Sequence, residues 1–339
     1  MPVSDLTLEP LPGFFPNAPY LRQGAEATLR RPATAGSGVR AIGAGLAARS
    51  AGAYLGLAVG DALGATVEFL TPREIRDRYG EHRELIGGGW LRLRRGKVTD
   101  DTEMALALGQ SILAQGRVDP CAAAEAFSDW MRTKPVDIGH TVRRGIAHYR
   151  RTGETVVPEN EHDAGNGACM RCLPVALCTL GAEEAEVAAA NRAQSHVTHH
   201  SPLGDAGTLT VIRMVQAALD GGTRTDLKRL ADALAAAEPE YRYDRRRMEN
   251  PGGYLPETLK AVFQALFATD GFESALVDVV NRGGDADTTG AILGMIAGAH
   301  YGISAIPRRW LRTLDQRVLA QVAGQARDLT ALSPRVRGR

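Results

Sequence analysis

The sequence predicts an all-α fold, built as one compact helical body. Most segments after residue 50 place apolar residues at the three- and four-residue intervals of an amphipathic helix, and strand-like alternation is almost absent. Aromatic residues make up only 5% of the chain, while Ala and Gly are abundant, which favours helices that approach each other closely. With 339 residues, the chain is long enough to bury a large core.

The first 48 residues differ in composition from the rest of the chain. The string LEPLPGFFPNAPY holds several prolines, and the stretch that follows is rich in Arg, Gly and other small residues. This composition is typical of an extended or flexible arm. We therefore expect an N-terminal extension over residues 1–48 and one helical domain over residues 49–335.

The elements of that domain follow in order. Residues 51–69 are small and apolar and predict a tightly packed helix interrupted by glycine, and residues 86–98 predict a loop with a short extended stretch. Residues 99–116 begin with cap-type residues, continue with helical spacing and end at a glycine. The same spacing predicts helices at 119–134 and 139–153. An apolar segment follows at 169–181. Further helices are predicted at 183–199, 205–222, 226–241, 256–271 and 272–283, and another begins at 286.

Charge and hydropathy exclude some classes of function. The 40 basic and 39 acidic side chains leave a formal net charge of +1, which argues against nucleic acid as the main partner. No apolar run approaches the roughly 20 residues that span a bilayer. No signal peptide is visible at the N-terminus. These observations predict a cytoplasmic protein that is not an integral membrane protein.

The cysteines fit a reduced protein with small buried thiols. A CxxC redox pair or half of a zinc site is the alternative, and a zinc site would need two more ligands. The four cysteines are Cys121, Cys169, Cys172 and Cys178.

Two acidic segments stand out, TDDTE at residues 99–103 and GGDADTTG at residues 283–290. Each places carboxylates and hydroxyls at the predicted start of a helix, so each alone fits a helix cap. Each nevertheless offers at least three oxygen-bearing side chains, and adjacent carboxylates repel unless a cation neutralises them. Hard cations such as Mg²⁺ and Mn²⁺ take such oxygens. If the two helix starts face each other, they would make a two-metal site.

Four strings, in this order, resemble the ADP-ribosylglycohydrolase family: GLAVGDALGATVEF, VTDDTEMALAL, AGNGACMRCLPVAL and VNRGGDADTTGAILGMIAGAHYG. The likeness extends from about residue 51 to residue 319. GGGWL, KPVDIGHT and IPRRWL are most similar to the bacterial glycohydrolases that activate dinitrogenase reductase. The resemblance implies a compact orthogonal helical domain around a central binuclear site, filled by two divalent ions, Mn²⁺ or Mg²⁺.

The resemblance also implies roles for individual residues. The residues it assigns to the metals are Thr99, Asp100, Asp101, Asp285, Asp287 and Thr288. It places Glu68 and Asp101 among the catalytic residues and gives Asp137 a part in proton transfer. A surface acid at Glu68 and a helix cap at Asp137 are the structural alternatives. Relatives often carry Asn or Asp where this chain has His140, so the role of His140 stays open.

The string Gly165-Asn166-Gly167 resembles the family's ADP-ribose-binding loop. Glycine permits close backbone approach to a phosphate or sugar, and Asn166 offers both a donor and an acceptor. The resemblance gives a similar part to Gly283 and Gly284, beside the acidic cluster. It also places His199 and Tyr254 near the ligand, although hydrogen bonding within the fold is the alternative for any histidine of the run 195–200. Arg245–Arg247 is either a solvated loop or a patch that steers an acidic ligand.

The implied reaction is removal of ADP-ribose from an arginine of a protein. The resemblance names the nitrogenase iron protein as the client, a PII-type protein as regulator, and reversible association with a membrane. One alternative is an immunity protein that reverses a toxin's modification of a cellular protein, which the distinct segment 1–48 favours. Another is a scaffold that binds ADP-ribose without hydrolysis, but both acidic segments and Glu68 argue against it.

Overall fold

The structure, a computed structural model, describes residues 42–160 and 164–338. Within these ranges the backbone forms fifteen α-helices and no β-sheet, which confirms the all-α prediction. The helices are α1 (Ala44–Gly64), α2 (Pro72–Tyr79), α3 (Asp100–Gln115), α4 (Pro120–Arg132), α5 (His140–Thr152), α6 (Leu173–Cys178), α7 (Glu184–Ser195), α8 (Pro202–Leu219), α9 (Arg224–Ala237), α10 (Leu255–Ala268), α11 (Phe272–Val280), α12 (Ala286–Tyr301), α13 (Arg308–Thr313), α14 (Gln316–Leu332) and α15 (Pro334–Arg337).

The antiparallel pair α1 and α12 forms the centre of the domain. Glycines at every fourth position of α1 face glycines at every fourth position of α12. A Cβ atom on Gly60 would lie 2.0 Å from the carbonyl oxygen of Gly290, and one on Gly56 would lie 2.1 Å from that of Gly294. The two backbones are therefore in direct contact, with no room for side chains between them. The glycines and the one alanine of this interface are Gly52, Gly56, Gly60, Gly64, Ala286, Gly290, Gly294 and Gly298.

Other helices surround this pair. Helices α8, α10 and α11 pack on α12, while α14 packs on both α1 and α3. Buried hydrogen bonds join the second group: Tyr54 of α1 donates to Gln325 of α14 at 2.8 Å, and Gln325 donates to the Leu106 carbonyl of α3 at 2.9 Å. These bonds connect α3 to α1 through α14, and the first turn of α3 carries the first acidic segment.

The observed elements depart from the predictions at several points. Helix α1 runs without a break to Gly64, so its glycines line an interface and do not interrupt the helix. Helices α2, α13, α14 and α15 were not predicted. Helix α1 also begins at Ala44, inside the segment predicted as an extension. Residues 1–41 lie outside the described ranges, so the proposed boundary at residue 48 stays a prediction.

The predicted buried thiols are largely confirmed. Cys169, Cys172 and Cys178 are free and buried, whereas Cys121 is free but exposed at the start of α4. Burial raises the pKa of Cys169 well above its usual range, which disfavours a reactive thiolate. Among the helices that the structure describes, none combines the length and apolar character that a membrane crossing requires.

Candidate functional site

The two acidic segments lie together at the N-termini of α3 and α12. The sequence predicts this meeting if the two helix starts face each other. The hydroxyl of Thr99 lies 3.3 Å from Asp101 Oδ2 and 3.3 Å from Asp287 Oδ2. The hydroxyl of Thr288 lies 3.5 Å from the same oxygen of Asp101. Residues about 190 positions apart thus share one buried polar site. The packing of α1 on α12 brings the start of α12 beside the C-terminal end of α1, and Asp61 of α1 binds the start of α3.

Helix capping does not account for these side chains. Thr99 and Asp285 are the N-cap residues of α3 and α12, but neither side chain accepts a hydrogen bond from its own helix. Asp61 of α1 performs this function for α3 instead. Its carboxylate accepts from the backbone N–H of Thr99 at 2.9 Å and of Thr102 at 3.1 Å, and from both of their hydroxyls. Asp61, which holds the first acidic segment in place, is not among the residues predicted from the sequence.

Three carboxylates define a candidate metal centre. Glu68, Asp285 and Asp287 each offer an oxygen, and the three oxygens lie within 4.8 Å of one another. Asp101 Oδ1 is buried and has no hydrogen-bond partner among the described residues. An unpaired buried carboxylate oxygen is costly unless a cation binds it. These carboxylates and the hydroxyls beside them form the oxygen set that hard divalent cations take, so the residues fit such an ion.

The electrostatics of the cluster favour the same conclusion. Burial raises the pKa of Asp100, Asp101 and Asp287 well above the usual range, and repulsion from neighbouring carboxylates raises each further. Burial, with repulsion from Asp285 and other acids, raises the pKa of Glu68 to about 8, against the effect of a hydrogen bond that stabilises its charge. Without a cation the cluster therefore retains protons near neutral pH.

Glu68 is a buried residue and not a surface acid. The indole N–H of Trp90 donates to its Oε2 at 2.7 Å. The next residue, Phe69, has a φ of 62° and an exposed side chain, and its ring centroid lies 5.4 Å from that of Trp90. Trp90 is itself 53% exposed. The string GGGWL was noted in the sequence, but its tryptophan was not assigned to the site, where it positions Glu68.

Asp137 lies in the connection between α4 and α5 and is half-buried. Its Oδ1 accepts from the N–H of Ile138 at 2.8 Å. Helix α5 begins only at His140, with Gly139 as its N-cap, so Asp137 does not cap that helix. Burial raises the pKa of Asp137, and repulsion from Asp285 adds to this effect. The structure thus places this acid beside the cluster, whereas His140 is exposed at the helix start.

Asn166 connects its glycine loop to the carboxylates. Its side-chain amide donates to Asp285 Oδ2 at 2.7 Å and to the hydroxyl of Thr258 at 3.1 Å. Its backbone N–H donates to the carbonyl of Gly253 at 2.9 Å, and Gly165 forms an isolated bridge with Tyr254. Tyr254, 41% exposed, is thereby held at the edge of the site. Contact of these residues with a ligand remains a prediction.

The four glycines predicted to bind substrate have packing roles in the structure. A Cβ atom on Gly165 would lie 3.0 Å from His199 Nε2, and one on Gly167 would lie 2.8 Å from His199 Cε1. Gly283 and Gly284 have φ angles of 72° and 68°. A Cβ atom on either would lie 2.1 Å from a backbone carbonyl, that of Leu70 or that of Pro251 respectively. These glycines allow the backbone to pass close to its neighbours.

The remaining candidate side chains have partners in the fold. His196 lies 2.7 Å from Asp205 Oδ2, and His200 Nδ1 lies 2.8 Å from the carbonyl oxygen of Val157. Arg247 pairs with Asp278 of α11 at 2.6 Å. Structural hydrogen bonding therefore accounts for these two histidines, while His199 faces the loop that carries Asn166.

The chain is similar in sequence to known glycohydrolases. A glycohydrolase of Rhodospirillum rubrum, ADP-ribosyl-[dinitrogen reductase] glycohydrolase, is 47% identical over 285 residues, which cover 84% of this chain and 96% of that protein. The ADP-ribosylarginine hydrolase Tri1 of Serratia proteamaculans is 32% identical over 300 residues, with coverage of 84% and 80%. A solved structure, an ADP-ribosylglycohydrolase-related protein complex, aligns with a TM-score of 0.75 and 36% identity over 85% of this chain and 98% of its own. The family model for ADP-ribosylglycohydrolase matches residues 43–337, and the chain belongs to this family.

Proposed function

We propose that this protein is a metal-dependent hydrolase that removes ADP-ribose from a modified arginine of a protein. The observation that carries the proposal is the buried carboxylate cluster, in which Glu68, Asp285 and Asp287 bring their oxygens within 4.8 Å. Two ions, Mn²⁺ or Mg²⁺, would be held by this cluster together with Asp100, Asp101, Thr99 and Thr288. Bound ions of this kind supply positive charge that orients substrate oxygens and activates water.

The reaction breaks the bond between the anomeric carbon of the ribose and a guanidino nitrogen. The carbon gains the hydroxyl of water, and the nitrogen gains a proton. A cluster rich in carboxylates stabilises the positive charge that develops on the sugar ring as this bond lengthens. Asp137 is the group that exchanges the proton, because its raised pKa brings the carboxyl closer to the pH at which general acids work.

The test is release of ADP-ribose from an arginine-modified protein, measured with Mn²⁺, with Mg²⁺ and with a chelator. We expect release that requires a divalent ion and falls by at least about a hundredfold in Asp287→Ala, because a ligand of the ion is lost. Asp77→Ala, which alters an exposed acid on α2, is the matched control and should keep full activity. No release by folded, metal-loaded protein would refute the proposal.

The client we propose is the iron protein of nitrogenase. The relative named for dinitrogen reductase is 47% identical, against 32% for the Tri1 hydrolase, which favours this client over the target of a toxin. Incubation with modified dinitrogenase reductase should restore its activity in step with release of ADP-ribose. Equal rates on unrelated modified proteins, together with protection of cells from an ADP-ribosylating toxin, would favour the immunity function instead.

A cytoplasmic location, regulation by a PII-type protein and reversible membrane association complete the proposal. They follow from the resemblance to the activating glycohydrolases. Co-purification of the protein with a PII-type partner, and its recovery in the membrane fraction when ammonium is added, would support this part. Constant recovery in the supernatant under both conditions would contradict it.

A further inference from the structure

Arg171 is a buried cation whose hydrogen-bond acceptors among the described residues are all neutral. Its guanidinium lies 4.2 Å from the ring centroid of Phe127. Its Nε donates to the side-chain oxygen of Gln194 at 2.9 Å, and its Nη2 donates to the Gln194 carbonyl at 3.0 Å. Burial of a charge in this manner is costly and needs several fixed hydrogen bonds. A further hydrogen bond of Arg171 is made to Thr198, the neighbour of His199.

That bond connects Arg171 to His199 through Thr198. Nη2 of Arg171 donates to the hydroxyl oxygen of Thr198 at 2.7 Å, and that oxygen lies 2.8 Å from His199 Nδ1. A guanidinium has only donors, so the hydroxyl oxygen acts as its acceptor. The hydroxyl proton finds one acceptor among the described residues, the Nδ1 atom of His199. A nitrogen that accepts this bond carries no proton, so the ring proton is on Nε2.

The protonated Nε2 atom is directed at the loop that carries Asn166. It lies 3.0 Å from the position of a Cβ atom on Gly165, and the neighbouring Cε1 lies 2.8 Å from that on Gly167. No residue within the described ranges forms a hydrogen bond with Nε2. The ring is buried, and burial with the nearby charge of Arg171 lowers the pKa of His199 to about 3, consistent with a neutral ring.

We propose that Arg171 and Thr198 are positioning residues that fix His199 as its Nε2–H tautomer, so that it presents one hydrogen-bond donor to an oxygen of the ADP-ribose. The link to ADP-ribose rests on the proposed function, whereas the tautomer is a property of the protein alone. A neutral donor suits a ligand oxygen beside a carboxylate cluster, because it binds the ligand without adding an ion pair to the site.

The first test is the tautomer of His199 in the protein without ligand. Nitrogen-15 chemical shifts of labelled histidine distinguish a protonated from an unprotonated ring nitrogen, and the His199→Gln spectrum identifies the signals of His199. We expect an unprotonated Nδ1 in the unchanged protein and in Thr198→Ser, which keeps the hydroxyl. Thr198→Val keeps the shape but loses the hydroxyl, so we expect a mixture of tautomers.

The second test is the affinity of the metal-loaded protein for ADP-ribose, measured by calorimetry. We expect Thr198→Val to weaken binding about fivefold, the effect of one hydrogen bond, and Thr198→Ser to restore it. Thr210→Val, which removes a helical hydroxyl bond to Ala206 on α8, controls for the substitution itself.

Three results would overturn the inference. These are a protonated Nδ1 in the unchanged protein, an unaltered tautomer in Thr198→Val, or equal weakening of binding by Thr198→Ser and Thr198→Val, which would indicate a steric role. If the tautomer is as expected but the protein releases no ADP-ribose from modified arginine, the proposed function fails while the positioning roles stand.

Discussion

Asp61 is a residue whose importance could have been inferred from the sequence alone. It is the one charged residue in the buried apolar stretch 51–67, and a lone buried charge requires fixed partners. That rule identifies Asp61 as an important residue. It does not identify its partners, because Thr99 and Thr102 lie about 40 positions away and only the folded backbone brings them to the carboxylate.

Trp90 provides a test at the same scale. Substitution Trp90→Phe keeps the ring contact with Phe69 but removes the N–H donor that holds Glu68. We expect kcat for ADP-ribose release to fall by roughly tenfold, the equivalent of one hydrogen bond to a charged group, with a smaller effect on KM. Steady-state kinetics on a modified protein would measure both constants.

Trp310→Phe is the matched control for this substitution. The indole of Trp310 is fully buried and donates to the carbonyl of Arg83 at 3.0 Å, away from the acidic cluster. We expect this variant to be less stable but to keep its kcat. Equal losses of kcat in the two variants would show that Trp90 acts through general stability and not through Glu68.

Among the elements, the pair α1 and α12 explains why the prediction of an interrupted helix over residues 51–69 is wrong. Glycine has a low intrinsic helix propensity, so the glycines of residues 51–69 suggested an interrupted helix. Their spacing of four residues places them on one face of a continuous helix, where they permit contact with α12. Propensity is a local property, whereas the compensating contact comes from a distant helix, and the sequence does not identify that helix.

Two substitutions separate the effect of glycine on helix contact from its effect on helix propensity. In Gly60→Ala the added methyl group would lie 2.0 Å from the backbone oxygen of Gly290, and neither helix has room to move. We expect a loss of about 1–3 kcal/mol in the free energy of unfolding. Gly324→Ala on α14 has no heavy atom within 4 Å, so we expect a gain of about 0.5–1 kcal/mol.

Chemical denaturation would measure both changes. The contrast between the two variants is informative because the chemical change is the same in each. If Gly60→Ala proved neutral or stabilising, the close approach of α1 and α12 would be wrong.

Helix α14 was not predicted, although its apolar residues have helical spacing in the sequence. In α14 the residues Val318, Val322, Ala326 and Leu329 are buried at helical spacing, yet the Ala- and Gln-rich composition gives the pattern little contrast. This helix matters because Gln325 joins α1 to α3.

At the scale of the whole molecule, the sequence predicted the components of the site better than their arrangement. The all-α class follows from periodicity, and the acidic segments 99–103 and 283–290 are visible as excess oxygen donors. Their meeting depends on which helix ends face each other, and this is decided by packing across the entire domain. The contacts of Asp61 and Trp90 depend on the same packing.

The charge of the assembled cluster predicts a pH dependence of metal binding. The pKa of Glu68 rises from 4.5 to about 8 in the folded protein, and that of Asp61 rises from 3.8 to about 6. Without a cation, the folded state therefore holds more protons than the unfolded chain at pH values between the ordinary and the raised pKa of each group. The contribution of Glu68 and Asp61 to the free energy of unfolding is therefore largest at acid pH and falls as the pH rises toward 8.

A bound divalent ion replaces the protons and relieves the repulsion. We therefore expect the difference in Tm between Mn²⁺-loaded and chelator-treated protein to increase from about pH 5 to about pH 8. Thermal scans at matched ionic strength would measure it. Histidines with lowered pKa values, such as His199, have the opposite dependence, but they affect both forms and cancel in the difference. A difference in Tm that is constant with pH would contradict this account.

The pairing of α1 with α12 also sets an order of events during translation. The ribosome releases α1 early and α12 only near the end of the chain. Until then the glycine face of α1 is uncovered, and Glu68 has emerged without Asp285 and Asp287. For most of its synthesis the nascent polypeptide carries one part of the candidate metal centre without the other. If the cluster holds a divalent ion as we propose, the full set of ligands exists only after α12 has emerged, and a product of interrupted translation that ends before α12 lacks Asp287.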